Sequence, residues 1–184
     1  RISGGYRMIG IKVEKAHGEY DPGTSKFFGS PTMPEEWLSD ETIGDDDFFF
    51  CQLKLSEFKA FDKDNILPAK SGFIYFFLSE TENGLKPNVQ YFEKEPETLI
   101  DDFNAGFDSL GDIETEFSID YFETKETTDG TGILVSDKDE IILLQYDPLD
   151  DGMPEFMAET ENIACFKIKK EESSSAGVRR IKAI

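Results

Sequence analysis

A chain of 184 residues with 38% hydrophobic content is the size of one ordinary domain, large enough to hold a core without disulfides. Its net charge of -20, from 39 acidic and 19 basic residues, repels nucleic acid and anionic lipid and favours a basic protein partner. No apolar run approaches the roughly 18–20 residues of a membrane-spanning helix, so nucleic-acid and membrane partners are excluded and oligomeric state stays open.

The ends read as frayed over 1–8 and 169–184, around a core of about 9–168, with 1–184 as a single domain. The chain opens with Arg1 and not Met, which leaves room for a trimmed leader. Residues 9–14 alternate apolar and polar and predict a half-buried strand. His17, the only histidine, follows beside a turn at Gly18. Residues 25–34 are a loop punctuated by Gly and Pro, closed by Trp37, the only tryptophan. Asp45, Asp46 and Asp47 guard the start of an aromatic run as charged gatekeepers.

That run, Phe48-Phe49-Phe50-Cys51-Gln52-Leu53-Lys54-Leu55, and its successor, Gly72-Phe73-Ile74-Tyr75-Phe76-Phe77-Leu78, form the centre of the chain. They are too short for buried helices and rich in Phe, Ile and Tyr, so they predict two strands with little solvent on either face. Ser56 is placed to cap a short helix, with Glu57 in its first turn and Phe58 and Phe61 on one side. The connection is long enough for parallel neighbours, and an antiparallel pair with a helical excursion is equally open. Asp62 and Asp64 suggest a calcium loop, but Leu67 and Phe73 occupy the places that need Gly and Glu.

Asn83-Gly84 signals a turn and 89–92 a strand. Pro96 starts a predicted helix that carries Leu99, Ile100 and Phe103 on one face and ends at Gly106. Residues 113–122 alternate strictly, with Ile113, Phe117, Ile119 and Tyr121 on one side, which predicts an antiparallel strand wet on the other face. Strands follow at 133–135, 141–146 and 163–168, with an acidic loop over 147–154 and a short helical piece over 155–158. The tail turns basic at Arg179, Arg180 and Lys182. The fold class is therefore α+β, a mostly antiparallel sheet with a few short helices. An apolar run ending in Gln, a loop, and a second apolar run occurs twice, around Gln52 and around Gln145. Two structurally similar halves are one reading of that echo, with the two amides bridging the halves or lining a shared cleft.

The chemistry is bounded by absence. There is no phosphate loop, dinucleotide fingerprint or nucleophile elbow, and one His with two Cys cannot make a zinc set. Cys51 and Cys165 lie in apolar runs and read as buried thiols, which suit a reducing cytoplasm. No catalytic residue, metal ligand or cofactor is assigned.

Four stretches run in the order and rough spacing of the motifs of the YwqG-like family, bacterial proteins classed as a domain of unknown function. They are Ser25-Lys26-Phe27-Phe28-Gly29-Ser30-Pro31, Met33-Pro34-Glu35-Glu36-Trp37, Phe50-Cys51-Gln52-Leu53-Lys54-Leu55, and Leu67-Pro68-Ala69-Lys70-Ser71-Gly72-Phe73-Ile74-Tyr75-Phe76-Phe77. Leu143-Leu144-Gln145-Tyr146-Asp147 is similar to the family's Leu-Leu-Gln-x-Asp strand end. Phe28 departs from the family's first glycine of a pair, Leu38 from a Pro after the Trp, and a Trp-Gly-Asp turn before the last strand is absent. The resemblance spans about residues 25–168. It implies an α+β fold with a large β component in a cytoplasmic bacterial protein. The gene neighbourhoods of such proteins, with toxins and immunity proteins, imply a binding role.

The expectation is a non-enzymatic protein-interaction module with an acidic surface, immunity- or antitoxin-like. The alternative is a small-ligand-binding protein or hydrolase with a cleft between the two halves. The candidate ligand- or partner-binding residues are Lys26, Trp37, Gln52, Gln145 and Asp147.

Overall fold

The computed structural model describes residues 7–67, 69–124, 130–137, 140–154, 156 and 164–168. Among the described residues nine strands form one sheet: β1 (Arg7–Lys15), β2 (Lys26–Phe27), β3 (Phe48–Lys54), β4 (Phe73–Thr81), β5 (Gly84–Phe92), β6 (Phe117–Glu123), β7 (Gly132–Asp137), β8 (Glu140–Tyr146) and β9 (Ala164–Ile168). Their order is β5-β4-β3-β2-β6-β1-β7-β8-β9, and every recorded pairing is antiparallel. The parallel option for the two central strands is thereby overturned. The excursion between them holds one turn of helix, α1 (Leu55–Phe58), which drops Leu55 and Phe58 into the core and lets the chain return beside β3.

Strands β3 and β4 are buried on both faces, as their unbroken aromatic composition requires. One face carries Phe48, Phe50, Cys51, Leu53, Ile74, Phe76 and Leu78 into a large cluster joined by Ile9, Ile11, Val13, Ile119, Leu144 and Tyr146. Strands β1 to β8 all feed that single cluster, so the sheet curls around it. The other face carries Phe49, Phe73, Tyr75 and Phe77, covered by Met33, Trp37 and Ile43 from one loop and Ile100 and Phe103 from another.

Those covering loops account for the largest difference from the predicted elements. Residues 96–106 form no helix: Leu99 makes an isolated bridge to Thr32, and Asp102 adopts a positive φ of 55°. Leu99, Ile100 and Phe103 do not share one packed face. Ile100 and Phe103 cover the sheet while Leu99 is 36% exposed, so the apolar pattern reflects a flat contact and not a helical stripe. The α content is thus slight, and the α+β description holds only loosely beside a sheet that is antiparallel throughout its recorded pairings. Three boundaries also differ. Lys54, not Ser56, is the N-cap residue of α1, with no side-chain cap, because β3 runs directly into the helix. The strand expected over 113–122 starts at Phe117, since Ile113 is instead tied into the preceding turn. The strand expected over 89–92 extends back to Gly84. Of the helical piece over 155–158 only Phe156 is described, and the charged tail lies outside the described residues.

The backbone is left-handed at Phe28 (φ 58°) and Gly29 (φ 74°), where the chain leaves β2. A Cβ at Gly29 would lie 1.9 Å from Glu116 Cγ, so glycine is required there. Phe28 carries a cost of about 1–2 kcal/mol for its conformation. Full burial against Phe50 and Phe156, with ring centroids at 5.5 and 5.2 Å, offsets it.

Gln52 and Gln145 occupy matching places. Gln52 faces Lys26 in the ladder, and its Nε2 donates to Thr24 O at 2.7 Å. Gln145 faces Gly132, and its Nε2 donates to Gly130 O at 2.7 Å. Each acceptor precedes the facing residue by two positions. The register slips at Phe50 in one strand and Leu143 in the other, each two residues before its Gln.

Phe50 touches Phe27, Phe28, Tyr146 and Phe156 with centroids 5.2–5.8 Å away. Phe50→Ala is expected to lower the unfolding free energy by about 3–5 kcal/mol in a urea titration. Leu149→Ala, at 65% exposure, should stay within about 0.5 kcal/mol of the parent.

Candidate functional site

The second face of the sheet carries a row of polar residues in ladder register: Gln90, Tyr75, Gln52, Lys26, Ser118 and Glu14. Two of them hold the loop above. Gln52 Oε1 accepts from Thr32 N at 2.9 Å, and the Tyr75 hydroxyl donates to Thr32 O at 2.7 Å. Both backbone groups of Thr32 are therefore met by strand side chains. Gln52 Nε2 also donates to Pro22 O at 3.2 Å, and Thr32 Oγ1 donates to the same carbonyl at 2.8 Å. Trp37 stands edge-on to Tyr75 and Phe92 at 5.2 and 5.8 Å.

Lys26 is fully buried, and its Nζ meets Glu116 Oε1 at 3.0 Å. The same oxygen accepts from Ser30 N at 3.1 Å. Burial pushes the Lys26 ammonium down to about 8 against the opposing pull of Asp21, and burial raises the Glu116 carboxyl although the Ser30 N–H holds it back. Desolvation is the largest cause at both groups. The Tyr20 ring lies 5.8 Å from Nζ, and its hydroxyl is buried without a partner among the described residues. Ser25 turns the other way, accepting from Tyr121 Oη and Lys54 N at 2.8 Å each while its own N–H donates to Glu57. Adjacent in sequence, Ser25 and Lys26 make no nucleophile–base pair.

Of the five residues singled out in the sequence, Lys26 and Gln52 are ladder neighbours, and Trp37 joins them through Tyr75. Gln145 and Asp147 lie on and after β8, with β6, β1 and β7 between them and β2. Asp147 N accepts no role in that row: it donates to Thr131 Oγ1 at 3.0 Å, and the Asp147 carboxylate caps Leu149 N at 3.0 Å. In these contacts the two glutamines serve their own strand pairs. Cys51 is fully buried, which pushes its thiol well above the usual range, and His17 is exposed; the side chain of Cys165 lies outside the described residues.

The feature that motif reading missed is the charge of the covering loops. Residues 35–47 hold seven carboxylates and no basic residue, and residues 93–116 hold nine carboxylates and one lysine, Lys94. Together they carry 15 of the 20 net negative charges. Among the described residues only Glu95, with Lys54 at 3.6 Å, and Glu116 have a cation partner. The exposed leucines Leu38 and Leu99 sit in these same two loops. A shallow cleft of about 220 Å³ within the second loop is lined by Asn104, Phe107, Asp108, Asp112 and Glu114 among others. Asn104 is structural: it donates to Phe49 O and Ile113 O at 2.9 Å and accepts from Phe49 N at 2.7 Å. The signal was available in the sequence as a local run of charge, but only the fold shows that residues 35–47 and 93–106 cover one face, while Phe107, Leu110 and Ile113 turn to the large core.

No family model, curated protein or solved structure matches the chain. Among the described residues no helix is long and apolar enough to cross a membrane.

Lys26 gives a pH test. The fold favours the neutral amine, whereas the unfolded chain keeps its proton to the ordinary 10.5. Between about 8 and 10.5 the native state releases its proton first, so stability rises with pH through that window. Relative to Lys26→Met, the parent should therefore gain about 2 kcal/mol between pH 7.5 and pH 10 in parallel denaturant titrations. Equal pH profiles for the two proteins would show that the amine is not desolvated.

Proposed function

We propose that the protein is a non-enzymatic interaction module whose acidic face, built by residues 35–47 and 93–106, binds a basic protein partner. One observation carries this reading: 11 of the 20 net negative charges lie on residues 35–47 and 93–106, which cover the same sheet face, and among the described residues only Glu95 of these has a cation partner. A surface charged only for solubility needs no such segregation. The loops are also held before any partner arrives, by Gln52 and Tyr75 on Thr32 and by Asn88 on Thr42 O and Asp47. Pre-ordered loops reduce the entropy lost on binding.

The chemistry of the partner is basic with apolar anchors, since Leu38 and Leu99 stand among the carboxylates. A toxin with a basic working surface is such a partner, which is the immunity- or antitoxin-like role. Kinship with the YwqG-like family and a bacterial, cytoplasmic setting belong to the same proposal. So does construction from two similar halves, supported by the matched register slips and amide contacts of Gln52 and Gln145. A catalytic cleft is less well supported, because its five residues divide between two parts of the sheet.

The partner is to be captured from the native host on immobilised protein, identified, purified, and its association followed at 50 and 500 mM salt. Its on-rate should fall at least tenfold at the higher salt, and the combined variant Asp45→Lys, Asp46→Lys should slow association at 50 mM salt. An on-rate unchanged by either would remove the acidic face from the function.

A further inference from the structure

Strand β5 is one edge of the sheet, and its outward ladder can be read residue by residue. The turn at Glu82 and Asn83 closes on the pair Thr81 and Gly84, which exchange both backbone bonds in a two-residue hairpin. Alternation then directs the N–H and C=O of residues 84, 86, 88, 90 and 92 to β4, and those of Leu85, Pro87, Val89 and Tyr91 away from the sheet. The other side of β4 agrees: Leu55 N donates to Gly72 O at 3.0 Å, which turns the even-numbered residues of β4 toward β3 and its odd-numbered ones toward β5. Pro87 falls in the outward set, where its missing N–H costs the sheet nothing. No described residue bonds the outward groups of Leu85, Val89 or Tyr91.

The two sides of this edge differ in chemistry. Leu85 and Val89 pack against the large core on one face, with Tyr91 on the same side and 42% exposed. On the other face Asn88 donates to Asp47 Oδ2 and to Thr42 O at 2.9 Å each, which sets the Asp45–Asp47 run beside the strand. Glu93 and Glu95 follow at the end of the strand. A second copy of this chain would bring another net charge of -20 against the first, which disfavours a paired edge between copies.

We infer that the β5 edge takes up an extended basic segment of the partner as a tenth strand, bonded to Val89 and Tyr91. Its apolar residues lie alongside Val89 and Tyr91, and its alternate, basic residues lie alongside Asp45–Asp47. Pro87 limits the docked ladder to the half of β5 from Asn88 onward. The inference rests on the acidic-face reading and adds to it the mode of contact.

The probe is a labelled, end-blocked octapeptide of alternating lysine and valine, followed by fluorescence anisotropy at 50 mM salt with the whole chain. A second peptide of the same sequence is N-methylated at alternate backbone nitrogens, which keeps its charge and removes its ladder donors. The parent should bind the first peptide at least tenfold more tightly than the second. Val89→Pro removes an outward donor without touching the β4 ladder, and it should weaken the first peptide by a similar factor with an unchanged circular dichroism spectrum. Should that variant fail to fold, the comparison of the two peptides on the parent decides. Equal binding of both peptides, with loss on Asp45→Lys, Asp46→Lys, would overturn strand docking and leave the acidic face standing. No binding of either peptide would overturn strand docking. A dimer in sedimentation that Val89→Pro dissolves would also overturn it, by assigning the edge to a second copy.

Discussion

Burial of β3 and β4 on both faces is the constraint from which the rest of the structure follows. Two adjacent strands carrying Phe48, Phe49, Phe50, Phe73, Phe76 and Phe77 cannot present either face to water at a tolerable cost, since each buried Phe contributes about 1.5–3 kcal/mol. The curl of the sheet covers one face. The other must be covered by chain that is neither strand nor helix, and loops bring backbone groups with no ladder to satisfy them. Side chains of the strands and of the loops meet that need. Gln52 and Tyr75 reach up to Thr32, Asn104 reaches down to Phe49, and Asn88 holds Thr42. Each is a polar group whose own burial is made tolerable by the loop it ties.

The same exchange explains why Lys26 and Glu116 are present although burial disfavours both charges. Glu116 accepts from Lys26 Nζ and from Ser30 N, so it joins β2 to the turn that carries Gly29 and Ser30. That turn runs left-handed through Phe28 and Gly29, a conformation the chain adopts only if held. The pair is better understood as fixing where the first loop departs from the sheet than as a source of net stability.

Much of this was legible in composition and period. Alternation located β1 and most of β6, and the dense aromatic runs located β3 and β4 because two-sided burial leaves that signature. The region around Leu99, Ile100 and Phe103 misled because apolar spacing records contact with a surface, whether the chain reaching it is helical or not. Gln52 could be singled out as an amide in an apolar strand, but its partners at Pro22, Thr24 and Thr32 depend on loop geometry that no local pattern encodes. The acidic runs were visible and uninformative one at a time. The pairing of Thr32 with Leu99 is what brings residues 35–47 and 93–106 onto one face.

The acid on those loops and the open edge of β5 belong together physically. A nine-residue edge strand ending in Val89, Tyr91 and Phe92 invites pairing with any exposed strand, including its own copy. Pro87 closes half of that edge, and the carboxylates around the other half disfavour pairing with a second acidic copy. Repulsion of that kind is selective, because it falls on acidic neighbours and becomes attraction for a basic segment. On the proposed reading, the charge that disfavours a second copy also favours a basic segment, and the same Asp47 that anchors Asn88 to the first loop places that charge beside the open half of the strand.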